Sequence, residues 1–106
     1  MILKTKYPDA WNHLTAGQDF EYCILLRNSG GIDLLDELFH SEGLGVNVLS
    51  NHNSETKDVF YCGEVTDKYG VIVHHTKQNR RGEVWEALLR FLFEKTQKRL
   101  ENLIAE

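Results

Sequence analysis

GEVWEALLRFLFEKTQKRLENLI, residues 82–104, carries the clearest periodic pattern in the chain. Its apolar residues Trp85, Leu88, Leu89, Leu92, Phe93, Leu100, Leu103 and Ile104 recur at the i, i+3, i+4 spacing of one helical face. The opposite face holds Glu83, Glu86, Arg90, Glu94, Gln97 and Glu101, with Glu86 to Arg90 and Glu94 to Lys98 in the favourable i, i+4 order. The spacing predicts a helix from about Gly82 to Ile104. Its apolar stripe is wide, with Phe91 on one flank and Phe93 and Ile104 on the other, so the helix must cover a sheet broadly or also meet a second surface.

A sheet for it to cover stands just upstream. VNVLSN (46–51), DVFYCGEVT (58–66) and GVIVHHTK (70–77) are rich in β-branched and aromatic residues. The polar segments NHNSETK and TDKYG separate them, which predicts an antiparallel meander. In the middle strand Val59, Tyr61 and Val65 share one face while Phe60 and Cys62 share the other. Both faces therefore carry apolar side chains, and a single helix would leave one of them wet unless the N-terminal third or a partner covers it.

That N-terminal third reads as short helices. PDAWNHLTAG places Pro8 in a first helical turn and Gly17 at the end, and in GGIDLLDELFHSEG the residues Ile32, Leu35, Leu38 and Phe39 make an amphipathic helical turn or two ending at Gly43. Residues 19–28, within DFEYCILLRNSG, fit either a helix capped by Asp19 or a buried strand, and the helix is the reading taken. The whole is expected to be one α+β domain over residues 1–106: N-terminal short helices, a three-stranded antiparallel β-meander, and a long C-terminal amphipathic helix packed on the sheet.

Composition sets outer limits. With 42% hydrophobic and 26% charged residues the chain of 106 residues should fold as a soluble globular protein. No apolar run approaches the roughly 18 residues of a membrane span, and the opening MILKTKYPDAW lacks the features of a secretory signal, so a cytoplasmic protein is expected. Cys23 and Cys62 stand outside any CxxC spacing and read as buried reduced thiols. The net charge of −4 hides a bipolar chain: residues 31–67 sum to −7 and residues 68–100 to +5. Such a split permits self-association, two kinds of partner, or halves that neutralise each other.

Three constellations are candidates for function. Lys77, Arg80 and Arg81 fall in the loop before the long helix, where free N–H groups attract anions, a setting for a phosphate or for an acidic protein surface. Asp33, Asp36 and Glu37, with Glu42 just beyond, put carboxylates on one face of the short helix at i, i+3, i+4, suited to a basic partner. Tyr69, in a tight turn beside Lys68, is the aromatic expected to be exposed as an interface anchor. His74 and His75 resemble a metal pair, but neighbours on a strand point to opposite faces and cannot hold one ion, so one is expected to be partly buried and the other wet. A site built from His52, Cys62 and one of these histidines has no support from spacing.

No GxSxG, Walker-type glycine loop, HExxH or dinucleotide fingerprint occurs. Neither enzymatic activity nor any metal or other cofactor is expected. Small size, acidity and the lack of a catalytic motif fit a binding module, an inhibitor or adaptor that occludes a surface of a protein target, as in immunity-type proteins carried by phages and mobile elements. The alternative is a small nucleic-acid-binding protein using the basic loop. A homodimer through the wide stripe of the C-terminal helix is a linked expectation.

Overall fold

The computed structural model describes residues 2–15 and 32–105. The reading of residues 19–28 lies outside them. The described elements are α1 (Ile2–Lys6), α2 (Pro8–Thr15), α3 (Ile32–Ser41), β1 (Gly45–His52), β2 (Val59–Thr66), β3 (Ile72–Gln78) and α4 (Arg81–Ala105). The architecture is the expected α+β arrangement, short N-terminal helices, a three-stranded antiparallel sheet in the order β1-β2-β3, and a long C-terminal helix packing on that sheet. Among the described residues no helix is long and apolar enough to cross a membrane. The chain divides into two compact units, residues 44–91 and residues 1–43 with 92–106, so that α4 contributes to both.

In the sheet unit the register fixes which side chains meet the helix. Val48 faces Gly63 and Thr76 faces it from the other side, while Val46, Val65 and His74 form the next row. Val65, Val84, Trp85, Leu88 and Leu89 are buried. Gly63 is where the helix comes closest: a Cβ there would lie 2.5 Å from Cγ1 of Val84 and 2.8 Å from Cδ1 of Leu88. A glycine in mid-strand, normally unfavourable, is explained by this close approach. The opposite face, with Leu49, Phe60, Cys62, Glu64 and Ile72, stays half-buried or exposed.

Both hairpins are closed by side chains. Asn53 Oδ1 accepts from the N–H groups of Glu55 and Thr56, and Lys57 completes the turn at φ 61°. Asp67 Oδ1 accepts from Tyr69 and Val71, with Gly70 at φ 81° supplying the left-handed residue that this turn requires.

The helical unit packs Leu3, Tyr7, Ala10, Trp11, Leu14, Leu35 and Phe39 with Leu92 and Phe93, the Trp11 and Phe93 rings lying 6.1 Å apart. Pro8 opens α2 as expected, and Gly43 follows the end of α3 at φ 74°. Helix α1 was not foreseen, since five residues are too few to show a period. Gln97, assigned above to the polar face of α4, is instead buried. Its Oε1 accepts from the Ala10 N–H at 2.9 Å, and its Nε2 donates to Asp9 and Glu101, each at 3.0 Å. Residue 7, preceding α2, is a tyrosine with no capping oxygen, so a glutamine far along the chain satisfies one of the helix's free N–H groups.

Candidate functional site

The basic segment lies where β3 hands over to α4. Pairing of Tyr61 with Gln78 and of Cys62 with Lys77 sets the start of β2 beside the end of β3. Phe60 and Tyr61 then project from opposite faces of β2, as strand alternation requires. On the open face the Lys77 Nζ stands 4.2 Å from the centroid of Phe60. On the helix face the Arg81 guanidinium lies 5.5 Å from the centroid of Tyr61. Both separations are within reach of a cation–π attraction, which steadies a cation without neutralising it. Lys77, Arg80 and Arg81 are all exposed.

Arg80 has a further property. The Val84 N–H donates to the Arg80 carbonyl at 3.3 Å, and α4 begins at Arg81, so Arg80 is the N-cap. That position favours Ser, Thr, Asp or Asn, whose side chains accept from the free N–H groups, and the positive end of the helix dipole repels a cation. Arginine provides no acceptor. Two adjacent arginines here therefore work against helix stability, with only Glu83 in the first turn to favour it.

The other sequence candidates fall elsewhere. Tyr69 is 78% exposed, with Lys68 Nζ 5.1 Å from its ring, but its turn joins β2 to β3 at the end of the strands remote from Arg80. Tyr69 is thus not part of the basic group. Of the acidic set, Glu37 is exposed, Asp36 is half-buried and has a partner, and the Asp33 side chain lies outside the described part. Glu42 is committed to the fold: it accepts from Arg99 at 2.7 and 3.0 Å and from the Thr96 hydroxyl at 2.9 Å. Among the described side chains of the set, Glu37 is the one fully exposed.

The two histidines divide between the faces as read. His74, half-buried, stacks on Phe91 with ring centroids 4.4 Å apart and 10° between planes. Burial, and secondarily the nearby His75, lower its pKa from the ordinary histidine value. His75 is exposed on the other face, opposite Glu64. His52, paired with Val59, and Cys62, paired with Leu49, belong to opposite faces of the sheet and cannot share an ion. Among the described residues no group of three or more His, Cys, Asp or Glu is placed to hold a metal.

Sequence reasoning found the three cations but missed the rings beneath two of them. The signal was present in the pairing of FY at 60–61 with KQ at 77–78, and it becomes legible only once the register is known. No protein family, curated protein or solved structure provides a match to this chain.

Proposed function

We propose that this chain is a protein-binding module of the inhibitor or adaptor kind, working in the cytosol, that occludes an acidic surface of a protein target with Lys77, Arg80 and Arg81. The observation that carries the reading is the gathering of three exposed cations at one end of the sheet, two of them seated on aromatic rings. Pre-ordered cations lose less freedom on binding than free side chains, and arginine beside an aromatic is the composition of interface hot spots. The arginine pair at the N-terminus of α4 supports it independently, because stability alone would select against that choice.

Self-association through the C-terminal helix has less support. Val84 to Phe93 supply mostly buried side chains, and among the described side chains of the expected stripe Leu100, half-buried, and Leu103, 61% exposed, remain for such a contact.

The test is recovery of partners by the tagged protein from native lysate of its source, with and without nuclease, beside an Arg80→Glu/Arg81→Glu variant. One protein recovered in stoichiometric amount, resistant to nuclease and lost with the variant, is the expected result. Recovery of nucleic acid that nuclease abolishes would transfer the site to a phosphate backbone. Partners unchanged by the variant would reduce the segment to a solvated loop.

A further inference from the structure

The two edges of the sheet are protected unequally. β3 carries Lys77, and its pairing with β2 is broken by a bulge at Val65/Thr66, where Ile72 rather than Val73 faces Thr66. Charged side chains and bulges are the devices that keep a free strand edge from pairing with another chain. β1 has neither. Its eight residues, GVNVLSNH, run in unbroken register with β2 and include no proline and no Lys, Arg, Asp or Glu. Among the described residues no strand pairs with its outer edge.

The phase of the ladder says which backbone groups are free. The Asn53 N–H donates to the Asp58 carbonyl at 2.9 Å, extending the register that pairs His52 with Val59. Odd-numbered residues of β1 therefore exchange hydrogen bonds with β2, and the N–H and C=O groups of Val46, Val48, Ser50 and His52 point outward.

We propose that this edge is a self-association site, pairing antiparallel with β1 of a second copy about a two-fold axis at Leu49 to join two sheets into one of six strands. Directly opposed residues in an antiparallel pair share a face, so a two-fold pairing must join positions of equal parity. An axis at Leu49 is the choice that satisfies all four outward residues within the strand. Val46 then exchanges bonds with His52 of the partner subunit, and Val48 with Ser50 of the partner subunit. On the open face Leu49, 49% exposed, meets Leu49 of the partner subunit, and Asn47 meets Asn51 of the partner subunit, two amides able to bond. Charge selects the occupant. A chain of net charge −4 repels its own copies, and β1 is the edge at which no opposed pair sets like charges against each other. A second copy also offers the same unprotected neutral edge, whereas β3 would bring Lys77 and a broken register.

The register yields a position-specific test. In the non-hydrogen-bonded pair at the axis the Cα atoms lie about 4.5 Å apart, within the range a disulfide spans. In a Cys23→Ser/Cys62→Ser background, Leu49→Cys is expected to form a disulfide-linked dimer on mild oxidation. Asn51→Cys is expected to stay uncrosslinked, since its counterpart is offset by four residues, about 13 Å. Sedimentation at high micromolar concentration should give twice the 12.3 kDa mass of the chain. Ser50→Pro, which removes an outward N–H, and Leu49→Lys, which sets a like charge against itself, should both return it to monomer with an unchanged circular dichroism spectrum. A wild-type monomer, a dimer that survives both variants, or equal crosslinking at residues 49 and 51 would each overturn the proposal.

Discussion

Arg80 is a residue that the fold would be better without. It occupies the N-cap of α4, where an acceptor side chain would satisfy a free N–H and a negative charge would meet the helix dipole favourably. Arg80→Asp is therefore expected to raise stability by about 1 kcal/mol, read as a higher denaturation midpoint at unchanged slope. A fall would mean that Arg80 has a structural role beyond its exposed position. His74 makes the opposite kind of statement. Its lowered pKa means that the folded state resists protonation more than the unfolded chain does. The neutral ring's contribution is thus complete above the ordinary histidine value of roughly 6.5 and is lost as pH falls through that value toward the lowered one. Urea midpoints at pH 7.5 and 5.5 should differ more for the wild type than for His74→Phe, which keeps a flat ring against Phe91 and cannot titrate. Equal differences would show that His74 is no freer of charge in the folded state than in the unfolded one.

At the scale of the element, α4 is held by a close approach at one end and by a polar clasp at the other. Gly63 admits the helix where any side chain would collide with Val84 and Leu88. Gly63→Ala should cost about 1–3 kcal/mol, the range for overpacking. Adding Val84→Ala removes the nearest colliding carbon, so the double variant should lose less than the sum of the single losses, a non-additivity read from a double-mutant cycle. In the helical unit Gln97 holds the first turn of α2 through the Ala10 N–H. Gln97→Leu keeps the volume but leaves that donor and the Asp9 carboxylate without their partner, and should cost about 1–3 kcal/mol. A loss below the error of the measurement would show that water replaces the amide.

Across the whole molecule, what the sequence revealed follows from periodicity. The 3.6-residue stripe of α4 and the strand alternation around Phe60 and Tyr61 are local, and they located the sheet, the long helix and α3 to within two residues. Interactions between remote segments were not legible. Gln97 lies on what the periodicity marks as the solvent face, and only the position of Ala10 explains its burial. Likewise, nothing local distinguishes Glu42 from Glu37, yet Arg99 and Thr96 claim the one and leave the other exposed. The wide apolar stripe, read as covering a sheet broadly or meeting a second surface, belongs to a helix that supplies buried side chains to two compact units. The candidate site was half legible, its cations present as a run and its aromatic supports hidden in the register.

In the proposed function the exposed cations at the start of α4 and the end of β3 bind the target and contribute little to holding the fold. The affinity of the recovered partner for wild type and for Lys77→Glu/Arg80→Asp, measured beside the thermal midpoint of each, tests it most directly. Affinity lower by 10-fold or more, about 1.4 kcal/mol or greater, is expected with a thermal midpoint unchanged or higher. Affinity that is unchanged, or that falls only together with the thermal midpoint, would contradict it.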